Sequence, residues 1–236
     1  FPTRRSSDLF YKPCPCIYYL KVQPIMSSSI DKKSVSQKRS EKQSAILNAA
    51  EEQFAIHGFN GVSLESIASS IGMTRHSLLY YYSTKEQLYV AVLDRVLELW
   101  LEDMNSISVG DDPEQALSQY IAVKMRFSHD QPSGSKVFTQ EVSAGAPYYR
   151  GAIEQRVKPV LERDLHTLKT WAEQGKIQNI DFMHMMFLIW SATQAYADLA
   201  PQFALLMGKE KMALDDYDNA ANLLTQWVLL SLKLAK

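Results

Sequence analysis

The fold of this chain is decided by the stretch Ser63–Lys85, which has the sequence SLESIASSIGMTRHSLLYYYSTK. Ser63 is a residue type that caps helix N-termini. The residues that follow it place an apolar side chain every three or four positions, at Leu64, Ile67, Ala68 and Ile71. Gly72 tolerates the positive φ found just past many helix ends, and Thr74 is a second capping residue. We therefore predict a helix-turn-helix whose second helix fits a DNA major groove.

Two short amphipathic helices around a glycine also form ordinary helical hairpins, so the flanking sequence has to separate the two interpretations. Residues 44–68 have the sequence SAILNAAEEQFAIHGFNGVSLESIA, and residues 83–96 have the sequence STKEQLYVAVLDRV. With the central stretch, they resemble the tetracycline-repressor (TetR) family of transcription regulators. The residues that carry the resemblance are Ile46, Ala49, Ala50, Phe54, Gly58, Gly61, Ile67, Ala68, Gly72, Leu78, Tyr80, Tyr82, Lys85 and Glu86.

The resemblance implies an all-α fold in two parts. We expect an N-terminal three-helix DNA-binding domain, with the helix-turn-helix, over residues 37–86. A C-terminal helical ligand-binding and dimerisation domain is expected over residues 87–236. The resemblance further implies a homodimeric repressor, not an enzyme, that binds double-stranded operator DNA. It implies release by a small-molecule effector, with no cofactor, no metal and no membrane.

The composition is that of a globular protein. The 236 residues are 46% hydrophobic and 22% charged, with a net charge of −1, so attraction to DNA requires a local basic surface. No apolar run reaches the roughly eighteen residues that a membrane span needs. Cys14 and Cys16 are too close for an unstrained disulfide in an extended segment. The cysteine-free remainder fits a reducing cytoplasm.

The first 25 residues, FPTRRSSDLFYKPCPCIYYLKVQPI, lack periodicity and resemble translated sequencing-adapter sequence. A twin-arginine signal is disfavoured, because prolines break the apolar region that it needs. We expect natural translation to start at Met26 and residues 1–36 to form a disordered leader. The basic segment that follows is either a solubilising tail or an arm on DNA, and we assign Lys38 and Arg39 to phosphates.

Side chains on and around the second short helix are the candidate DNA contacts. Arginine pairs bidentately with guanine, and Ser, Thr and His donate to or accept from base edges. The family resemblance turns five residues toward DNA, namely Thr74, Arg75, His76, Ser77 and Tyr81. We assign Lys85 to a phosphate, and also Ser63, which lies at the free N–H groups of a helix N-terminus. Most of the family has Tyr where this chain has Leu79, so a common contact is not assigned here.

From Thr84 the pattern is helical nearly to the end. We expect helices over residues 84–104, 112–129, 149–174, 181–207 and 215–234, and another around residues 137–141. Proline should kink the helix over residues 149–174 at Pro159 and interrupt the helix over residues 181–207 near Pro201. Residues 181–207 are apolar on nearly all sides and must be buried. The most plausible cover is a second copy of the chain, as the family resemblance also implies.

Three blocks resemble the pyrimidine-utilisation regulators of this family, which respond to uracil and thymine: SLLYYYSTKEQLYVAVL, FTQEVSAGAP and IWSATQAYADLAPQ. In the last block Trp190, Gln194 and Asp198 stand four residues apart and share one helix face. An amide and a carboxylate there need partners, either on another helix or a second subunit, or on a small polar ligand. Uracil offers N–H donors and carbonyl acceptors around a flat ring that an indole stacks on. Helical spacing and the resemblance add Phe138 and Glu141 as neighbours.

Two other classes of protein compete with a ligand-responsive regulator. An all-helical enzyme is disfavoured, because no histidine has a carboxylate partner at catalytic spacing and the sequence shows no set of metal ligands. His184 is interpreted as a core or interface residue. A DNA-binding protein without a small-molecule switch is disfavoured by the polar residues between positions 190 and 198. Substrate turnover would support the enzyme, whereas ligand-released DNA binding separates the other two classes.

Overall fold

The computed structural model describes residues 29–103 and 107–233, which form helices and turns with no β-strand among them. The α-helices are α1 Ser29–Gly61, α2 Leu64–Ser70, α3 Arg75–Leu79, α4 Lys85–Asp103, α5 Pro113–Asp130, α6 Pro132–Ser143, α7 Arg150–Ala152, α8 Lys158–Glu173, α9 Phe182–Asp198, α10 Ala200–Leu206 and α11 Leu214–Leu232. A π-helical turn, Ile153–Val157, joins α7 to α8. The predicted all-α class is confirmed. None of the described helices is long and apolar enough to cross a membrane.

Helix α1 begins at Ser29 and so includes residues 29–36, which the sequence analysis placed in the leader. No glycine or proline stands between residues 27 and 57, so nothing in that stretch interrupts a helix. The helix turns at Gly58, where φ is 68°. Residues 1–28, with the predicted start at Met26, lie outside the described residues. The chain divides into two compact units, residues 1–39 and residues 40–236.

Within residues 40–236, one apolar cluster holds α1, α2, α3 and α4 together. Phe54, Leu78 and Leu88 are fully buried in it. Leu78 is the one buried residue of α3, so it attaches that short helix to the apolar cluster. The cluster also includes Val137 of α6. Helix α6 therefore packs directly against the helix-turn-helix domain.

A second cluster joins α5, α8, α9, α10 and α11 in the C-terminal part. Helix α5 packs against both α9 and α11, and its Tyr120 is buried beside Trp171 of α8 and Met186 of α9. Trp100 of α4 packs against both clusters. Helices α4 and α6 therefore both connect the helix-turn-helix domain to the C-terminal part.

The kink predicted at Pro159 is the π-helical turn that immediately precedes it. Proline has no N–H to donate to the carbonyl four residues earlier, and a wider turn accommodates the loss. This turn carries Arg156, which donates to Asp94 of α4 at 3.1 Å. Tyr149 donates to the same carboxylate at 2.7 Å. The two bonds fasten α4 to the α7–α8 region.

Large apolar side chains are exposed on α9 and α11 in the single chain. Leu188 of α9 is 69% exposed, and Trp227 of α11 is 63% exposed. We call the exposed set the C-terminal apolar face; it comprises Phe187, Leu188, Leu223, Trp227 and Leu230. The sequence predicted a cover for the helix over residues 181–207, and a single chain leaves this face open.

Candidate functional site

The two helices of the helix-turn-helix begin at the capping residues that the sequence indicated. Ser63 Oγ accepts from the Ser66 N–H at 3.0 Å, and Ser66 Oγ accepts from the Ser63 N–H at 3.3 Å, which makes a capping box. Gly72 forms the turn with a φ of 66°. Thr74 Oγ1 accepts from the Ser77 N–H at 3.2 Å. These capping bonds fix where α2 and α3 begin.

The side chains assigned to DNA at the start of α3 are all exposed: Thr74, Arg75, His76 and Ser77. Tyr81 is half-buried, with its ring edge-on to Tyr80 at 5.3 Å between centroids. The Arg75 guanidinium is 3.1 Å from the Glu65 carboxylate of α2, and both side chains are more than half exposed. An exposed ion pair of this kind is weak, so the guanidinium is available to a stronger partner.

Lys85 has a structural role that the sequence did not indicate. Its Nζ donates to the Val62 carbonyl at 2.7 Å and lies 4.3 Å from the centroid of the Phe59 ring. The side chain therefore fastens the start of α4 to the turn between α1 and α2. An ammonium has three N–H donors, so donors remain for a phosphate. Lys38 and Arg39 are exposed on α1 within the unit of residues 1–39, and their phosphate contact stays a prediction.

A cavity of about 240 Å³ lies between α4, α5, α6 and α9. Its lining residues are Val96, Leu97, Trp100, Lys124, Phe127, Ser135, Phe138, Thr139, Val142, Trp190, Ser191 and Gln194. Most of the wall is apolar, with a few hydroxyls, one amide and one ammonium. Such a wall suits a small, largely flat ligand with a few polar atoms.

Two indole rings form one side of this cavity. The ring centroids of Trp100 and Trp190 are 5.7 Å apart, at an interplanar angle of 80°. Trp190 Nε1 donates to the Tyr120 hydroxyl at 2.6 Å, which fixes the orientation of the ring. Burial raises the pKa of Tyr120, so its hydroxyl stays protonated. A flat ligand therefore meets a rigid aromatic surface.

Gln194 lines the cavity, while Asp198 does not. Gln194 Nε2 donates to Asp198 Oδ1 at 3.1 Å and to the Ser135 carbonyl at 3.4 Å. The internal hydrogen bond considered as an alternative in the sequence analysis is thus present. Because both N–H groups are engaged, the amide retains Oε1 as an acceptor for a ligand. Asp198 does not line the cavity itself but orients the Gln194 amide through this hydrogen bond.

Of the two residues predicted on α6, Phe138 lines the cavity and Glu141 does not. Glu141 is 2% exposed on another side of α6, where its carboxylate accepts from the Tyr148 N–H at 2.7 Å. Burial, together with the nearby Glu141 carboxylate, raises the pKa of Tyr89. At about 100° per residue, the lining positions 135, 138, 139 and 142 fall within an arc of about 100° of the helix. Position 141 lies about 60° beyond the edge of that arc, so its side chain leaves the cavity face.

Lys124 lines the cavity and was missed in the sequence analysis. It is 7% exposed, and its Nζ lies 4.5 Å from the Trp100 ring centroid and 5.4 Å from that of Trp190. Burial lowers its pKa to about 7. The sequence does contain a signal, since position 124 continues the buried stripe of α5 formed by Leu117, Tyr120, Ile121 and Ser128. A lysine on such a stripe lies inside the protein.

A three-helix domain with an exposed helix-turn-helix, joined to a helical domain with a cavity, defines a helix-turn-helix transcription regulator. The family model described as "Bacterial regulatory proteins, tetR family" matches residues 46–92. The model "YcdC-like protein, C-terminal region" matches residues 93–235. The chain belongs to the TetR family of DNA-binding transcriptional regulators.

Curated relatives of the chain are also transcriptional regulators. The chain is 38% identical over 169 residues to the HTH-type transcriptional regulator RutR of Escherichia coli K12, covering 72% of this chain and 80% of that protein. It is 31% identical over 78 residues to the HTH-type transcriptional repressor NicS of Pseudomonas putida, covering 33% of this chain and 37% of that protein. These relatives are regulators, so the chain is a regulator and not an enzyme.

Solved structures of the family share the fold at low sequence identity. A TetR-family regulatory protein from Rhodococcus RHA1 superposes with a TM-score of 0.69 at 17% identity, covering 82% of this chain and 98% of that one. AibR, solved with isovaleryl coenzyme A and operator DNA, gives a TM-score of 0.62 at 18% identity, covering 78% and 96%. Regulators of this family bind operator DNA and small-molecule effectors and act as dimers.

Proposed function

We propose that this chain is a dimeric repressor, active in the cytoplasm, that leaves its operator when uracil or thymine binds the cavity between α4, α5, α6 and α9. The observation that carries the effector part is the cavity itself. Two fixed indoles and an oriented amide acceptor share a small space with an ammonium donor. At about 240 Å³, the space is below the range of roughly 300–1,000 Å³ typical of ligand pockets, which favours a one-ring molecule.

Uracil matches this arrangement group by group. Its flat ring can lie against Trp100 or Trp190. An imide N–H can donate to Gln194 Oε1, while the carbonyl oxygens can accept from Lys124 or from the hydroxyl groups of the wall. The resemblance of three sequence blocks to pyrimidine-utilisation regulators supports the same class of ligand.

The DNA part of the proposal assigns the exposed side of α3 to the major groove. Arg75, His76, Ser77 and Thr74 would contact bases or their neighbouring phosphates, and Tyr81 would contact the backbone from the edge of this surface. Lys38, Arg39, Ser63 and Lys85 would position the domain on phosphates. One α3 spans only a few base pairs, so a near-palindromic site with half-sites about one helical turn or more apart is expected.

The dimer part rests on the C-terminal apolar face. Large exposed apolar patches on soluble proteins mark interaction sites. This one includes residues of α9, for which the sequence predicted a second copy as the cover. With the dimer formed through α9 and α11, the two copies of α3 are carried at a spacing set by α4. A ligand between α4 and α6 changes that spacing, which explains release.

The test of the effector is a matched pair of substitutions. Gln194→Leu keeps the size of the side chain and removes the amide, so uracil should bind about tenfold or more weakly because a ligand N–H is left buried and unpaired. Gln115→Leu, on the exposed start of α5, should bind uracil like the wild type. Both variants should bind operator DNA selected from random duplexes, but only Gln194→Leu should stay bound when uracil is added.

Calorimetry of uracil, with and without operator, checks the mechanism as well as the site. Because effector and operator binding are linked, operator DNA must weaken uracil binding by the same factor by which uracil weakens operator binding. A wild-type protein that holds its operator equally well with and without uracil or thymine would overturn the proposed effector.

A further inference from the structure

Lys124 is the one charged side chain among the described residues that line the cavity. It is 7% exposed, so most of its side chain is removed from bulk water. An isolated charge in such surroundings is unstable unless it is paired, discharged or used by a ligand. The contacts of Lys124 indicate which of these three outcomes applies to its charge.

None of the elements around Lys124 presents a counterion to it. Helix α4 contributes Val96, Leu97 and Trp100 to the lining, α6 contributes Ser135, Phe138, Thr139 and Val142, and α9 contributes Trp190, Ser191 and Gln194. No lining side chain but Lys124 itself is ionisable. Asp198, one turn beyond Gln194 on α9, accepts from the Gln194 amide, and Tyr120, one turn earlier on α5, accepts from Trp190. Burial accounts for the lowered pKa of Lys124, and no neighbouring charge contributes.

The faces of two indoles support the ammonium in place of a carboxylate. Its Nζ lies within 6 Å of the ring centroids of both Trp100 and Trp190, where the ring quadrupole attracts a cation. Cation–π contacts offset part of the desolvation and leave the N–H donors of the ammonium without an acceptor. Gln194 lines the same cavity, and its Oε1 accepts no hydrogen bond from the residues that the structure describes.

We propose that Lys124 determines the specificity of the cavity, by donating from its ammonium to an oxygen of the effector while Gln194 Oε1 accepts an N–H from the same ring. Together the two residues select a flat ligand that carries a carbonyl or anionic oxygen beside an N–H. The imide of uracil and thymine has this arrangement, so the inference rests on the proposed function and deepens it. Effector binding then also takes up a proton.

The proton uptake has a definite sign. With a pKa of about 7 in the free protein, Lys124 is mostly charged at pH 6 and mostly neutral at pH 8. An oxygen acceptor stabilises the charged form and raises the pKa in the complex. Uracil should therefore bind more weakly as the pH rises, by up to about tenfold between pH 6 and pH 8.

The experiment measures the uracil dissociation constant at pH 6, 7 and 8 by calorimetry, in two buffers of different ionisation enthalpy that reveal proton uptake. The variants are Lys124→Met, which keeps the length without the charge, and Lys169→Met, an exposed control on α8. Lys124→Met should bind uracil about tenfold or more weakly at pH 6 and show no pH dependence. Lys169→Met should follow the wild type. Loss of the pH profile distinguishes donation from a packing role, and the wild-type profile is informative even if Lys124→Met fails to fold.

Benzoate, a flat anion without an N–H, separates failure of this inference from failure of the proposed effector. If the wild type binds uracil without pH dependence, or if Lys124→Met binds it equally well, Lys124 is not the specificity residue although the effector stands. If the wild type binds benzoate but not uracil, and Lys124→Met loses benzoate, the effector is wrong while the role of Lys124 stands. Binding of neither compound by the wild type overturns both.

Discussion

Arg75 pairs with Glu65 in the unbound protein, and the DNA contact proposed for Arg75 would replace that partner. Its ion pair with Glu65 is exposed, so exchanging the carboxylate for a guanine edge or a phosphate costs little. Replacing Arg75 with Ala should weaken operator binding by about 1–3 kcal/mol and relax base preference at one position of each half-site. Binding to a set of operators with single base changes measures both effects.

Lys85→Ala is the matched comparison for Arg75→Ala. Loss of a phosphate contact should weaken all duplexes alike and reduce the salt dependence of binding. Lys85 also donates to the Val62 carbonyl. The free energy of unfolding of Lys85→Ala therefore has to be measured in parallel with its DNA binding. An Arg75→Ala protein with an unaltered base preference would remove Arg75 from the set of base-reading residues.

Asp164 gives the protein a pH dependence unrelated to ligand. Its side chain is 0% exposed, one oxygen is 3.3 Å from Arg163, and the other has no hydrogen-bond partner among the described residues. Burial raises its pKa to about 6, although Arg163 opposes the shift. A carboxyl whose pKa rises on folding contributes stability below its unfolded pKa, near 4, that is lost as the pH rises through 6.

Asp164→Asn removes that dependence. Relative to the wild type, its free energy of unfolding should increase by up to about 3 kcal/mol between pH 4 and pH 7. Urea denaturation at a series of pH values measures the difference, with Glu210→Gln on an exposed turn as the control. A wild-type-minus-variant difference that stays constant over this range would show that Asp164 titrates normally.

Individual site residues were predictable where chemistry and spacing agree. Ser63 and Thr74 cap their helices because a hydroxyl before an apolar periodic run has few other uses. Trp190 and Gln194 reach the cavity because a four-residue step keeps one helix face. Lys124 was not predicted, although its place on the buried stripe of α5 is a local signal. The position of Glu141 was not predicted because it depends on which elements pack against each side of α6, which is tertiary information.

Among the helices, the starts and ends were predictable from caps and prolines, whereas their partners were not. Asp112 and Asp181 accept from backbone N–H groups at the starts of α5 and α9, as capping residues do. The early start of α1 was missed because a polar, basic segment gives no apolar periodicity. The π-helical turn before Pro159 was expected only as a kink, since sequence does not specify how the lost bond is accommodated.

Gly134 shows how closely α6 packs against its neighbours. A Cβ at this position would lie 2.8 Å from Val96 Cγ2 of α4 and 3.4 Å from Glu51 Oε1 of α1. Gly134→Val should therefore lower the free energy of unfolding by about 1–3 kcal/mol. Thermal and urea denaturation test this, with Gly151→Val as the control because nothing lies within 4 Å of its Cβ position. Equal loss in the two variants would mean that the α6 contact tolerates the added bulk.

For the assembled molecule, the C-terminal apolar face predicts a charge-sensitive dimer. Leu188 and Trp227 are mostly exposed in the single chain, so Leu188→Glu and Trp227→Glu should fold normally. In a dimer each would bury an unpaired carboxylate, and analytical ultracentrifugation should show monomers at concentrations where the wild type is dimeric. The affinity for operator DNA should fall when the dimer is lost, because a monomer presents a single α3.

Ile56→Glu is the control for this experiment. Ile56 is 73% exposed on α1, far along the chain from α9 and α11. It should leave the sedimentation of the protein unchanged. Wild-type sedimentation of both face variants would place the dimer interface on another surface.

One side of helix α6 lines the cavity, and its other side packs toward the helix-turn-helix domain. This separation bears on how such regulators diversify. Ser135, Phe138, Thr139 and Val142 line the cavity. Gly134, Val137, Gln140 and Glu141 contact the helix-turn-helix domain or the segments beside it; Gln140, for example, donates to the Ala55 carbonyl of α1 at 3.2 Å. Under the proposed function, substitutions on the first side would alter which molecule is sensed, and those on the second would alter how the signal reaches the helix-turn-helix domain. A lineage could then acquire a new effector through changes at these four positions of α6 while the DNA-binding response is kept.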